Sequence, residues 1–180
     1  MNTEKWQLQI DETTALFMER FASLSAEQLN FKPDPGTWSI AQNIDHLIVI
    51  NSSYYPLIAS VRNGTYRLPW TGRSGFIVNM LGNAILKGVE PERRKKVRTF
   101  PMWEPSASEL PAYILTDFAN HQDDLKKLVT SCSDLLDKKT VISSPANRYI
   151  VYTLEKAFDI IVTHEKRHLA QAEELLDLVR

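Results

Sequence analysis

Two of the four histidines stand four residues apart near the end of the chain, at His164 and His168. Side chains at this spacing are neighbours on one face of a helix, with Cβ atoms roughly 5–6 Å apart. Two neutral imidazoles placed in this way can bind one divalent metal ion together. Both also fall on the apolar stripe of their helix, so we expect them to point inward, where an imidazole needs a metal or a hydrogen-bond partner.

A metal site usually takes at least one further protein ligand, and the other two histidines are the candidates. His46 flanks the apolar seam of an earlier helix. His121 lies on the apolar stripe of another helix, four residues after Asp117. Spacing alone does not separate these two histidines.

The same string of residues also fits the His-Glu-x-x-His pattern of zinc peptidases, in which the Glu is the general base. Glu165 is therefore the candidate base of a hydrolytic reaction. Against this interpretation, only residues 169–180 follow His168, and Gln171 and Glu174 stand where the longer peptidase pattern has Gly and His. The position of Glu165 on its helix predicts an ordinary surface charge.

The composition is that of one globular domain over residues 1–180, with 43% hydrophobic and 24% charged residues. A net charge of -1 predicts no general affinity for nucleic acid or for membranes. The single cysteine, Cys132, is predicted to be a buried apolar residue and indicates a reducing compartment. We expect a cytoplasmic protein, because no signal-peptide pattern and no apolar run of about 20 residues is present.

Apolar periodicity predicts four long helices and no sheet. Their approximate bounds are 3–22, 39–63, 108–129 and 151–178, with a shorter helix near 76–85. Ser39 and Ser108 are the predicted caps of the second and third helices, and Pro56 should bend or break the second. Such a chain is typical of an all-α four-helix bundle. The long connection between the second and third helices permits a crossover in which both run in the same direction.

A basic run in this connection includes Arg93, Arg94 and Lys95. These residues are candidates for binding an anion, although a solvated loop is the simpler interpretation. Trp38, Trp70 and Trp103 could line a pocket, with core packing as the default.

Two segments resemble motifs of the DinB-like superfamily of DinB/YfiT-like metalloenzymes. Residues 36–47, GTWSIAQNIDHL, are similar to the family pattern G-x-W-S-I-x-E-x-x-x-H-L. Residues 164–171, HEKRHLAQ, are similar to H-E-x-R-H-x-x-Q. The order of the helices also resembles the family, so the resemblance covers nearly the whole chain. One departure is Gln42, which stands where the family often has Glu.

The resemblance implies a four-helix bundle with a long crossover between helices 2 and 3. It also implies a site for one divalent metal ion, Zn, Ni, Mn or Fe, held by His46, His164 and His168. His121 would then be structural.

Characterised relatives include S-transferases and isomerases that use low-molecular-weight thiols such as bacillithiol, mycothiol or glutathione. The resemblance therefore implies a metal-dependent thiol S-transferase whose partners are a small thiol and an electrophile. A metal-dependent hydrolase and a non-catalytic, metal-containing stress or binding protein are the alternatives. Exposed apolar stripes, which are common on such bundles, also lead us to expect a homodimer.

Overall fold

The computed structural model describes residues 3–92 and 99–179, and it is mostly helical, as predicted. The helices are α1 (Glu4–Phe21), α2 (Ala26–Asn30), α3 (Ile40–Ser52), α4 (Tyr54–Arg62), α5 (Gly75–Gly88), α6 (Ile114–Ser131), α7 (Ser133–Asp137) and α8 (Leu154–Val179). The strands are β1 (Val141–Ser144) and β2 (Asn147–Thr153), and short 3₁₀ turns lie at Trp70–Arg73 and Pro101–Trp103. None of the helices in these two described ranges is long and apolar enough to cross a bilayer.

The start of α3 is fixed by a capping box. The Ser39 hydroxyl accepts a hydrogen bond of 3.1 Å from the backbone N–H of Gln42, and the Gln42 side chain accepts one of 3.3 Å from the Ser39 N–H. These bonds satisfy two backbone donors that a helix start leaves without partners. The cap fixes the residue at which α3 begins. It therefore also fixes the direction in which the side chain of His46, seven residues later, points from the helix axis.

The second predicted helix is divided near Pro56, as expected. α3 ends at Ser52 and α4 begins at Tyr54, which makes Pro56 the third residue of the new helix. A proline is tolerated in the first turn, where backbone N–H groups have no partner within the helix. α4 then ends at Arg62 with Asn63 as its C-cap, and Gly64 follows with a positive φ of 74° that suits glycine.

The core consists of two apolar clusters with a polar layer between them. One cluster contains Trp6, Ile10, Leu125 and Phe158, and the other contains Phe17, Ile44, Phe118 and Leu169. Each of the helices α1, α3, α6 and α8 contributes one buried polar residue at the level between the clusters. These residues are Thr13, Asn51, Gln122 and Glu165.

The order of the clusters along each helix gives its direction. α1 and α8 run from the Trp6 cluster to the Phe17 cluster, whereas α6 runs the opposite way, as does α3 together with α4, whose Tyr54 and Ile58 lie in the Trp6 cluster. Consequently α3 and α6 are parallel, and the chain between them crosses the length of the molecule. α5 lies within this crossover and packs against β2 and α8.

The structure corrects the prediction that the chain contains no strands. β1 and β2 form an antiparallel hairpin in which Ile142 is opposite Tyr152. As a result, α8 begins at Leu154 rather than near Val151, and the Leu154 N–H donates to the carbonyl of Thr140 at 2.8 Å. The apolar residues of β2 run directly into those of α8, so the hydrophobic pattern does not mark the boundary.

The predicted start of the third helix is also wrong. Ser108 does not cap it, because α6 begins only at Ile114. The ring of Pro111 disfavours a helical conformation at Leu110. The Leu110 N–H instead donates to the side-chain oxygen of Asn30 at 2.8 Å, which attaches this stretch to the end of α2.

Candidate metal centre

Three histidine side chains from two helices meet inside the protein. α3 supplies His46, and α8 supplies His164 and His168. One ring nitrogen from each lies within 4.8 Å of the others. His46 and His168 are buried, whereas His164 is partly exposed. The structure therefore brings together the three histidines of the family motifs, and His121 is not among them.

The proton on His46 is located by its hydrogen bond to the main chain. Its Nδ1 lies 2.5 Å from the carbonyl oxygen of Trp103. A carbonyl can only accept a hydrogen bond, so Nδ1 is the atom that donates. In the neutral ring Nε2 is then left with its lone pair, which is the form that binds metal.

The proton on His168 is located by a hydrogen bond to the side chain of Asn43. The Asn43 Nδ2 donates to the backbone carbonyl of Ser39 at 2.9 Å, which fixes the orientation of the amide group. Its Oδ1 therefore faces His168 Nδ1 at 2.7 Å and accepts a hydrogen bond from it. The Nε2 of His168 is left as an electron-pair donor.

The Nε2 atoms of His164 and His168 lie 3.0 Å apart. Burial lowers the pKa of His46, and it lowers the pKa of His164 and His168 well below the usual range, with nearby positive groups adding to the effect. All three rings are therefore neutral near pH 7. Neutral imidazole nitrogens gathered at one point fit a divalent ion such as Zn, Ni, Mn or Fe, and three protein ligands leave coordination positions for another molecule.

The histidines form part of the wall of a cavity of about 1290 Å³. Other residues of this wall are Trp38, Tyr54, Trp103, Tyr152 and Arg167. The Trp38 ring lies 4.8 Å from the His46 ring and stacks at 6.0 Å on the His168 ring. An aromatic surface thus packs against two of the three histidines, and the space beside them is large enough for a small organic molecule.

One side of this cavity is closed by residues 99–108, which we call the covering loop. It is attached along α3 by hydrogen bonds from the Gln42 amide to the Ala107 carbonyl, from the Ser106 N–H to Asp45, and from the Trp103 indole to Ser53. The bond between His46 and the Trp103 carbonyl belongs to the same set. The covering loop is therefore both a wall of the cavity and a support for one candidate metal ligand.

Glu165 is not the surface charge that the sequence predicted. Its side chain is 0% exposed, and its Oε1 accepts a hydrogen bond of 2.8 Å from Asn51. Burial raises the pKa of Glu165 to about 7. Helix α8 is covered by α1 and α3 on different sides, so even residues beside its apolar stripe are buried. Among the described residues, Glu165 does not line the cavity.

Other residues that the sequence singled out lie elsewhere or serve other roles. The His121 ring packs 6.1 Å from Tyr55. Cys132 is buried, as predicted, and Trp70 is 67% exposed rather than part of a pocket. The anion-binding candidates Arg93, Arg94 and Lys95 lie outside the described residues.

Sequence reasoning missed three groups that contact or adjoin the histidines: Asn43, the Trp103 carbonyl and Arg167. Asn43 precedes His46 by one helical turn, and Arg167 is part of the second family motif, so both had a weak signal in the sequence. A backbone carbonyl of a distant loop has none.

Comparison with known proteins gives the family. No curated protein matches the chain, and no solved structure matches it. A family model described as the DinB superfamily matches residues 9–172. This match spans most of the sequence and contains all three histidines, so the chain belongs to the DinB superfamily.

Proposed function

We propose that this protein is a metal-dependent thiol S-transferase that holds one divalent ion through His46, His164 and His168. The observation that carries the proposal is the convergence of three neutral imidazoles in the wall of a large cavity that also has aromatic side chains in its lining. Such a site can bind an ion and a small molecule beside it. The membership in the DinB superfamily, with its thiol-dependent members, supports this reaction class.

A divalent ion held there would supply Lewis acidity, which favours the ionised, nucleophilic form of a thiol. The protein residues prepare this site in advance. The Trp103 carbonyl and the Asn43 amide keep the Nε2 lone pairs of His46 and His168 directed to the common point. Trp38 and Trp103 place apolar ring surface in the cavity wall, and apolar surroundings strengthen electrostatic interactions.

In the proposed reaction the thiol loses its proton to solvent, and a sulfur lone pair forms a bond to an electrophilic carbon. The bond from that carbon to its leaving group breaks, and the leaving group departs with the electron pair. The cavity volume of about 1290 Å³ is sufficient for a thiol and an electrophile at the same time. Holding both together is a major part of the rate acceleration.

The alternatives have less support. Hydrolysis by the peptidase mechanism needs a carboxylate next to the bound water, whereas Glu165 is buried in the polar layer and hydrogen bonded to Asn51. A purely structural metal site would be closed to small molecules. Here the histidines line an extended cavity, and His164 is partly exposed.

A conjugation assay tests the proposal. The protein is loaded in turn with Zn²⁺, Ni²⁺, Mn²⁺ or Fe²⁺ and mixed with 1-chloro-2,4-dinitrobenzene and one of several small thiols, including cysteine and glutathione. We expect thiol conjugation above the uncatalysed rate, loss of this activity with a chelator, and recovery when metal is restored.

Two variants make the assay specific. His168→Ala should be inactive with every metal, whereas His121→Ala, which alters a histidine outside the site, should retain activity. Conjugation no faster than background with every thiol and metal would overturn the proposed function.

A further inference from the structure

Two buried phenols form part of the wall of the same cavity. Tyr54 is the first residue of α4, and Tyr152 belongs to β2. Both line the cavity, although the two residues are only 3% and 1% exposed. Their hydroxyl oxygens lie 2.8 Å apart, so the phenols are hydrogen bonded to each other. The proposed chemistry at the histidines gives this pair no role.

The hydrogen bonds of this pair leave one donor over. One phenol donates to the other, and the phenol that accepts keeps its own O–H hydrogen. The Ser144 side chain, on β1 and also in the cavity wall, is hydrogen bonded to Tyr152 as well. This third hydroxyl adds one hydrogen and one bond, so the row still contains one O–H hydrogen that no bond within it uses. A buried donor is costly unless an acceptor reaches it.

The cavity wall around the pair is aliphatic. Both tyrosines belong to the apolar cluster of Trp6, and the other members of this cluster that line the cavity are all aliphatic. They are Ile85, Val89, Ile150, Ile160 and Ile161. We call this part of the cavity the aliphatic end. It suits an apolar molecule, to which the phenol pair offers one hydrogen-bonding point.

The aliphatic end lies beside the histidines rather than at them. Tyr54 follows His46 by eight residues, which corresponds to about two helical turns, or roughly 12 Å along the axis. On α8, Ile160 precedes His164 by one helical turn. A thiol bound at the histidines would therefore leave the aliphatic end to the second molecule of the reaction.

The chemistry of an electrophile matches this end of the cavity. An electrophilic carbon commonly owes its reactivity to an electron-withdrawing group such as a carbonyl, whose oxygen accepts hydrogen bonds. A hydrogen bond to that oxygen becomes more favourable as negative charge develops on it during the reaction. A phenol donor at the aliphatic end can therefore both position such a molecule and make its carbon easier to attack.

From these observations we propose that the Tyr54–Tyr152 pair donates a hydrogen bond to the carbonyl oxygen of an apolar electrophile bound at the aliphatic end. This inference rests on the proposed function, because it takes the second molecule to be the electrophile. It goes further by naming the chemical class of that molecule and the residues that recognise it.

Infrared spectroscopy of a bound ketone tests the inference on the unaltered, full-length protein. The probe is acetophenone, an apolar ketone without a leaving group, labelled with ¹³C at the carbonyl. Hydrogen bonding lowers the carbonyl stretching frequency, which is therefore lower in methanol than in hexane. We expect the bound ketone to show the methanol-like frequency. The frequency should be the same with Zn²⁺ bound and with chelator present, because the donor is a phenol and not the ion.

Phenylalanine variants assign the donor. In Tyr54→Phe/Tyr152→Phe the frequency should move to the hexane-like value. The affinity for acetophenone, measured by calorimetry, should fall about 3- to 10-fold, as for a hydrogen bond between neutral groups. α-Methylstyrene, in which a methylene group replaces the carbonyl oxygen, should bind this variant at least as tightly as it binds the wild type.

Tyr149→Phe is the matched control and should behave as the wild type. Tyr149 belongs to the same strand as Tyr152, but it is 51% exposed and, in the described ranges, lies outside the cavity wall. Circular dichroism shows whether each variant is folded, and the infrared measurement on wild-type protein needs no variant.

The possible failures are distinguishable. A hexane-like frequency in the wild type, a methanol-like frequency only when Zn²⁺ is bound, or no binding of acetophenone up to its solubility would overturn this inference and leave the proposed function standing. A methanol-like frequency retained in folded Tyr54→Phe/Tyr152→Phe would also overturn it. Failure of the conjugation assay would overturn the proposed function, and with it the role of the pair toward an electrophile, whatever the infrared result.

Discussion

Asn43 on α3 accepts a hydrogen bond of 2.7 Å from the imidazole of His168 on α8, although the two residues are 125 positions apart in the chain. The Asn43 amide is held in turn by the carbonyl of Ser39, the residue that caps α3. The start of one helix thereby orients a candidate metal ligand on another. Partners of this kind set the ring orientation and the basicity of a ligand histidine.

We therefore expect Asn43→Ala to lower metal affinity by about 10- to 100-fold while the helix content is preserved. Competition with a chromophoric chelator for Zn²⁺ measures the change. Asn43→Asp is the matched control, because it keeps an oxygen that can accept from His168, and it should lose much less affinity than Asn43→Ala. Equal affinities of wild type and Asn43→Ala would show that Asn43 does not orient the ligand.

His168→Ala should remove the metal without unfolding the protein. The substitution deletes one of the three nitrogen ligands, whereas the apolar clusters on either side of it remain. Elemental analysis should find about one metal ion per chain in the wild type, in His121→Ala as well, and close to none in His168→Ala. Metal retained in His168→Ala at the wild-type level would contradict the site.

The features of the fold that depend on the residues of a single helix could be predicted from the sequence. The spacing of His164 and His168 predicted their common face, and Ser39 with Gln42 predicted the start of α3. The features that the sequence did not predict depend on how separate segments of the chain pack against each other. The burial of Glu165 arises because α8 is covered on several sides, and the support of His46 comes from a carbonyl 57 residues away. Neither leaves a local pattern in the chain.

Glu165 should make the metal-free protein less stable at high pH. Its pKa is about 7 when folded, against about 4.5 when unfolded, so the folded state binds more protons between these values and loses stability as the pH rises. The contribution of Glu165 to the free energy of unfolding falls by about 2 kcal/mol between pH 5 and pH 8. Glu165→Gln is nearly isosteric and does not titrate.

Urea unfolding of both proteins, with chelator present, gives the free energies at the two pH values. The wild type should lose about 2 kcal/mol more than Glu165→Gln between pH 5 and pH 8. The same pH dependence in both proteins would mean that Glu165 is not a buried acid. Metal binding by Glu165→Gln should persist, because Glu165 lies outside the cavity wall in the described part of the chain.

His121 should have the opposite effect on stability. Burial lowers its pKa to about 4, and its Nε2 has no hydrogen-bond partner among the described residues. The unfolded chain, with a histidine pKa near 6.5, then binds more protons below that pH, so stability falls as the pH decreases toward 4. At pH 5 the expected cost relative to pH 7 is about 2 kcal/mol.

His121→Gln removes this titrating group and retains a polar side chain. Its free energy of unfolding should fall by about 2 kcal/mol less than that of the wild type between pH 7 and pH 5. The comparison cancels the contribution of Glu165, which is common to both proteins. Parallel curves would place His121 in a solvated environment instead.

Trp103 couples the binding of a small molecule in the cavity to the binding of an ion at the histidines. Its indole borders the space that a small molecule would fill, and its carbonyl holds His46. A ligand that moves this residue alters the ion's affinity, and thermodynamic reciprocity requires the ion to alter the ligand's affinity by the same factor. Dissociation constants measured for either one are therefore meaningful only at a stated concentration of the other.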